Sequence, residues 1–318
     1  MSTIQLTVDT LNAMKPLEIV KSEAVKDKFI TIWDALWGEG TGAGAYEREH
    51  LYFNNILRES DKGRLMKATP FSIFGAFIDL AISGLSLEPG THALAYLIGK
   101  NVNIGTQESP KWEGRLKLTI SAYGELVMRA RCGQIRHADN PVIVYANDEF
   151  SFSDRGGRKE VDYVCHLPHR NQPIVACYIR ITRADGTIDY SVMTEEDWTR
   201  LASYSLKQNQ RYDRKTGRNI GQANALYGMD QEGITHIDTG FLCAKCIKHA
   251  FKTYPKIRIG RATEMQTMQE DSNQTGNYEE DMYGIDMDTK PQEQQTFGNE
   301  DTTTDYGVSI DTNEDDAF

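Results

Sequence analysis

The chain has 318 residues, 39% of them hydrophobic and 25% charged, enough to bury a sizeable core in one large domain or two small ones. It contains no run of about 18 apolar residues that would cross a membrane, and Met1 to Asp9 has neither the basic start nor the apolar stretch of a secretory signal. The net charge of −11 is unevenly spread: residues 263–318 hold 16 acidic residues against one basic, Lys290, whereas residues 110–261 hold 24 basic against 17 acidic. A mildly basic body with a strongly acidic tail points to a nucleic-acid partner. The five cysteines, Cys132, Cys165, Cys177, Cys243 and Cys246, are few and irregularly spaced, which fits a reducing cytoplasm better than a disulfide framework.

In chain order, Pro16 to Leu36 mixes apolar and charged residues at helical spacing, and a Gly-rich break precedes a second helix from Tyr46 to Glu59. Thr69-Pro70 predicts an N-cap followed by proline at the first helical position. Phe71, Phe74, Ile78, Ala81 and Leu85 then form an apolar face, with Gly84 near the helix end. Leu116 to Ile120 alternates as a strand and runs into a short helix, Ala122 to Cys132, closed by Gly133. Further strands are predicted at Val142–Ala146, Glu149–Ser153, Glu160–Cys165, Ile174–Thr182 and Thr187–Met193. The last two flank Asp185-Gly186, a strong hairpin signal. Thr194-Glu-Glu-Asp197 starts another helix. Ser203 to His236 has little periodicity and is too long for an ordinary connection. Asp238-Thr239 caps a final helix running to Tyr254 before Pro255. Beyond about Ala262 the polar, acidic composition cannot offset the entropy of ordering, which predicts disorder. The fold class expected is α+β: a helical N-terminal part, a compact sheet-and-helix core and a disordered acidic tail.

No nucleotide-hydrolysing motif is present. Gly99-Lys100 is followed by Asn101 and lacks the upstream glycine of a phosphate loop, and no metalloprotease, hydrolase or paired-carboxylate nuclease signature occurs. Cys243-Ala-Lys-Cys246 would need a second ligand pair to hold zinc, and the one plausible source is Cys165-His166 with His169. At about 100° per residue, Cys243 instead shares a face with Ile247, Ala250, Phe251 and Tyr254, so a core role is preferred and neither metal nor cofactor is expected.

The cationic features are more suggestive. Lys245, Lys248 and Lys252 fall opposite that apolar face. Arg129 points away from the Tyr123, Val127 and Ala130 side of its helix, and Arg115 and Lys117 share one face of their strand. Arg155-Gly-Gly-Arg-Lys159 is a basic loop. Lys207, Arg211, Arg214, Lys215 and Arg218 surround Tyr204 and Tyr212, a mixture that suits a strand held by charge with its bases stacked. Each spot alone also reads as an ordinary solvated face.

The order of these features resembles the RecT family of phage-type recombinases. Thr69-Pro-Phe-Ser-Ile-Phe-Gly-Ala leading to Gly84-Leu-Ser-Leu-Glu-Pro89 is similar to that family's proline-capped helix and its exit, and His92 to Ile98 to its following strand. Ile120 to Ile135 resembles the central Tyr-x-Gly helix with its Arg-x-Gly-x-Ile exit. Asn147-Asp-Glu-Phe150, Val161 to Pro168, the Tyr178 strand and Met193 to Glu196 follow in family order, and Asp238 to Pro255 resembles the closing basic helix. Gly240 and Cys243 depart from the pattern, and 203–236 is longer than usual.

The resemblance implies a compact core that binds single-stranded DNA and anneals it to a complementary strand without ATP, as a ring or helical filament of identical subunits. Annealing of this kind needs no bond-making residue, so the chain is not expected to be an enzyme. The implied domains are a helical oligomer-contact region at 1–64, the DNA-binding core at 65–262 and the tail at 263–318. The candidate DNA contacts are Arg115, Lys117, Tyr123, Arg129, Arg136, Lys207, Arg211, Lys245, Lys248 and Lys252. Tyr123 reads either as a stacking or as a packing residue, with packing favoured. Partners implied are single-stranded and annealing duplex DNA, a partner exonuclease and a host single-strand binding protein. The chain end, with Asp315, Asp316 and Phe318, resembles the docking tip of single-strand binding proteins, against the preferred reading of a solubilising tail and a third in which the tail competes with DNA. The alternative function is a passive single-strand binding protein with a partner-docking tail.

Overall fold

The computed structural model describes residues 6–106, 109–213, 217–228 and 236–256. They form two compact units, 6–128 and 129–256. Helices and antiparallel strands make up both, so the fold class is α+β.

The first unit runs through α1 (Val8–Asn12), α2 (Pro16–Ile19), α3 (Glu23–Trp37), α4 (Gly42–Glu59), a 3-10 segment (Asp61–Lys67), α5 (Pro70–Ser83), β1 (Ala95–Asn103), β2 (Trp112–Ile120) and most of α6 (Ala122–Arg131). The single helix expected over 16–36 is broken at 20–22. There Ser22 turns its hydroxyl back to the Ile19 carbonyl at 3.0 Å, a local bond that competes with helix continuation.

The core of this unit is aromatic. Phe29, Phe53 and Phe77 are fully buried. Phe77 lies 4.6 Å from Phe29 and 5.2 Å from Phe53 by ring centre, spacings at which offset and edge-on pairs attract beyond simple burial. Buried Glu49 is satisfied by Arg48 Nε at 2.8 Å, the Ser86 hydroxyl at 2.7 Å and the Leu87 N–H at 2.9 Å, which ties α4 to the chain leaving α5.

α5 begins at Thr69-Pro70 and ends at Gly84 as expected, and Ile78, Ala81 and Leu85 of the expected face are buried, but the inward face is centred on a neighbouring stripe. Ile73, Ala76, Phe77, Leu80 and Ala81 are buried, whereas Phe71 is 56% exposed. The helix is apolar almost all round, so two stripes fit the 3.6-residue period equally and periodicity could not choose between them.

Along β1 and β2, Leu97 faces Leu118 and Ala95 faces Ile120, with Leu97, Leu116 and Leu118 buried. α5 packs against β2, and its start is joined to that strand: the Thr69 N–H donates to the Gly114 carbonyl at 2.9 Å and the Leu116 N–H to the Ser72 hydroxyl at 3.0 Å. At Gly124 a Cβ would collide with the Leu94 carbonyl oxygen, so the glycine directly after Tyr123 permits α6 to approach the chain entering β1.

The second unit contains β3 (Ile135–Ala138), β4 (Val142–Tyr145), β5 (Glu149–Arg155), β6 (Arg158–Val164), β7 (Ile174–Arg183), β8 (Ile188–Thr194), α7 (Glu195–Gln208), β9 (Arg211–Asp213), β10 (Arg218–Ile220), a 3-10 turn (Ala225–Tyr227) and α8 (Thr239–Phe251). β7 is central. It pairs with β8 along one edge and with β4 and β3 in tandem along the other, all antiparallel. The Asp185-Gly186 turn joins β7 to β8. Gly186 takes φ 89, a left-handed conformation that costs glycine nothing, and Asp185 accepts the Thr187 N–H at 2.8 Å.

Cys177, Ile179 and Ile181 on one face of β7 are buried, and α7 and α8 both pack against this strand. On the other face Tyr178 meets Phe150 and Tyr163 of the β5–β6 ribbon, each at 5.8 Å. α7 extends through 203–208, a stretch expected to be irregular. The capping box of Thr194 and Asp197 nucleates it, and buried Trp198, Leu201 and Ala202 anchor it.

α8 starts where predicted, with Asp238 accepting the Phe241 N–H at 2.7 Å, and ends at Phe251 rather than Tyr254. Its buried stripe is Leu242, Cys246, Ile247, Ala250 and Phe251. Cys246 is fully buried, whereas Cys243 is only partly covered. The tail, with Asp315, Asp316 and Phe318, lies outside the described residues, as do Arg214 and Lys215.

Candidate nucleic-acid interface

Strand alternation and register set the outer face of the β1–β2 hairpin. Residues opposite one another in an antiparallel pair point to the same side. Because Leu116 and Leu118 point inward, Arg115 and Lys117 point outward as expected, opposite Lys100 and Ile98 respectively. Tyr96, opposite Thr119, completes the row. Tyr96 is 49% and Ile98 39% exposed, and the three cations are exposed. The one acid on this face, Glu113, pairs with Arg115 at 2.9 Å.

Three cations beside an exposed aromatic ring and an aliphatic side chain form a surface on which phosphates can be neutralised and a base can stack. Tyr96, Ile98 and Lys100 are absent from the sequence-derived candidates. The signal that would have found them is the alternation of Ala95 to Lys100 combined with the register opposite Arg115. Tyr123, also in this unit, is partly exposed and lies 4.1 Å from His92 by ring centre.

In the second unit, Arg129 does not occupy the solvated position expected of it. It is 6% exposed, with its guanidinium 4.5 Å from the Phe251 ring centre and 5.8 Å from that of Tyr254. It donates to the Pro255 carbonyl at 3.3 Å and to the Gln134 side-chain carbonyl. The chain leaving α8 covers the face that helix geometry alone left open. A guanidinium so enclosed is a packing residue and presents no charge to a phosphate.

Lys245 and Lys248 on α8, and Lys252 just after its end, are partly exposed. The Lys245 ammonium lies 4.7 Å from the Phe241 ring centre and 6.0 Å from that of Tyr227. Burial, reinforced by Lys248 and Lys252, lowers its pKa to about 8. This is therefore a desolvated cation rather than a plain wet lysine, and its charge is fully present only below that pH. Arg136 at the edge of β3 and Lys207 at the end of α7 are exposed, Lys207 lying 6.0 Å from the Tyr204 ring centre. Arg211 lies in β9, opposite Ile220, with its side chain outside the described residues. The Gly156-Gly157 turn holds Arg155 and Arg158 exposed at the tip of the β5–β6 ribbon.

An α+β chain presenting cations and aromatic rings on strand and helix faces has the build of a nucleic-acid-binding protein. A family model described as the RecT family matches residues 53–220, more than half of the chain, and the chain belongs to that family of single-strand annealing proteins. Its members act in DNA recombination, as annealing proteins rather than catalysts, and membership carries DNA binding. The match takes in the whole β1–β2 face and the central sheet. α8 lies beyond it, so its lysines rest on their own geometry. No curated protein and no solved structure matches the chain. Among the described residues, no single helix is long and apolar enough to cross a membrane.

Proposed function

We propose that the chain binds single-stranded DNA and anneals it to its complement without ATP, as an oligomer of identical subunits on DNA in the cytoplasm. The helical region at 1–64 supplies contacts between copies, and residues 65–262 bind DNA. The observation that carries the reading is the outer face of β1–β2, where Lys100, Arg115 and Lys117 flank Tyr96 and Ile98 inside the family-matched segment.

The proposed chemistry is electrostatic. Cations neutralise the phosphates of one strand, so a second strand approaches without full repulsion, and bases held against Tyr96 remain open to pair. Arg136, Lys207, Arg211, Lys245, Lys248 and Lys252 extend the cationic set, with Tyr123 beside His92. The acidic tail, with Asp315, Asp316 and Phe318, is assigned to solubility in preference to docking a host single-strand binding protein or exonuclease.

Equilibrium binding to a single strand, measured against salt and without nucleotide, tests the reading. Affinity should fall by orders of magnitude between roughly 50 and 200 mM salt. At roughly pH 9 Lys245 should have lost most of its charge, while ordinary lysines, with a pKa of about 10.4, keep nearly all of theirs. The log–log salt slope should therefore be smaller there by about 0.7, one phosphate contact, and Lys245→Arg should remove that difference. Salt-insensitive binding would overturn the proposal.

A further inference from the structure

Asp148, at the turn between β4 and β5, meets Cys165 and His169 from the segment after β6. One donor atom from each lies within 4.8 Å of the other two. His169 Nε2 is 2.9 Å from Asp148 Oδ1 and 3.7 Å from Cys165 Sγ.

These donors are held by the groups around them. The Asp148 side chain is fully buried and takes the N–H of His166 at 2.8 Å, the N–H of Tyr145 at 2.9 Å and the Tyr163 hydroxyl at 3.2 Å. The His169 ring is stacked on Tyr145 with ring centres 4.0 Å apart and is 19% exposed. Cys165 is exposed, so the open side of the trio faces solvent.

A tetrahedral zinc ion with Zn–S near 2.3 Å and Zn–N and Zn–O near 2.1 Å holds sulfur and nitrogen about 3.6 Å apart, and nitrogen and oxygen about 3.4 Å apart. The sulfur–nitrogen distance already matches. The nitrogen–oxygen distance must open by about 0.5 Å, the change expected when a metal ion replaces the shared proton between them. One thiolate, one imidazole and one carboxylate make a donor set that suits zinc and leaves out magnesium and calcium, which take oxygen donors.

We propose that Asp148, Cys165 and His169 bind one zinc ion, with water at the fourth position. Binding releases the Cys165 thiol proton to solvent, and neutral His169 coordinates through Nε2 as the tautomer whose single ring proton is on Nδ1, so the proton between Nε2 and Asp148 moves to Nδ1 by way of solvent. The ion clamps the segment after β6 to the β4–β5 turn, at the opposite end of the β5–β6 ribbon from its Arg155–Arg158 tip. This stands independently of the DNA-binding reading.

The test is metal uptake by the full chain, with zinc in competition against a chromogenic chelator and with cobalt as a spectroscopic substitute. One equivalent of zinc should bind, and cobalt should give a tetrahedral spectrum with a thiolate-to-metal charge-transfer band. Cys165→Ser should abolish that band and His169→Ala should abolish stoichiometric uptake, whereas Cys132→Ser, at an exposed cysteine in another part of the sequence, should change neither. Asp148 is left intact because its carboxylate also holds backbone N–H groups, and circular dichroism checks that each variant folds. Absence of zinc uptake by the parent chain, or stoichiometric uptake that survives both Cys165→Ser and His169→Ala, overturns the proposal.

Discussion

Replacing Lys100, Arg115 and Lys117 together by alanine should lower affinity for single-stranded DNA by about a hundredfold at roughly 0.1 M salt. Each phosphate contact on a single strand contributes a slope of about 0.7 in log affinity against log salt. Three contacts therefore contribute about two decades between 0.1 and 1 M, and the slope of the triple variant should be smaller by about 2. All three side chains are exposed on the hairpin's outer face, so the variant should unfold within about 0.5 kcal/mol of the parent per site.

Tyr96→Ala separates stacking from charge. It should cost about 1–3 kcal/mol of binding and leave the salt slope unchanged, because a base leaving a ring releases no counterion. An unchanged affinity in the triple variant would remove this face from the interface.

Arg129→Ala should have the opposite signature, destabilising the fold by about 3 kcal/mol in urea denaturation with the salt slope of DNA binding unaltered. The substitution removes a guanidinium held over Phe251 and Tyr254 and its hydrogen bonds to Pro255 and Gln134. A desolvated cation–π contact contributes about 2 kcal/mol and a charge-assisted hydrogen bond about 1.5–3 kcal/mol, part of which is recovered as the pocket relaxes. A variant as stable as the parent but weaker on DNA would place Arg129 back among the contacts.

These two cases show what the sequence made legible. Arg115 and Lys117 could be placed because a strand alternates with a period of two and Leu116 and Leu118 fix its phase. Their neighbours across the hairpin, Ile98 and Lys100, depend on register, which no single strand contains. The position of Arg129 is not legible in the same way, because the periodicity of its own helix carries no information about residues more than a hundred positions later. Only the fold brings Tyr254 and Pro255 over it. The α5 cap was readable from Thr69-Pro70, and Ile78, Ala81 and Leu85 were placed inward correctly, yet Phe71 was not, since Phe71 and Ile73 head equally apolar stripes. Asp185-Gly186 specified the β7–β8 turn by chemistry local to four residues. Cys165 and His169 were visible as a pair, but Asp148 lies 17 residues before Cys165 and joins them only through the return of the β5–β6 ribbon.

The most direct test of the central claim mixes two complementary single strands, one carrying a fluorophore and the other a quencher, with and without the protein and with no nucleotide present. The protein should accelerate duplex formation, adding ATP should change nothing, and the Lys100, Arg115, Lys117 triple variant should lose most of the acceleration. Strand mixing that proceeds at the spontaneous rate, or that requires ATP, would contradict it.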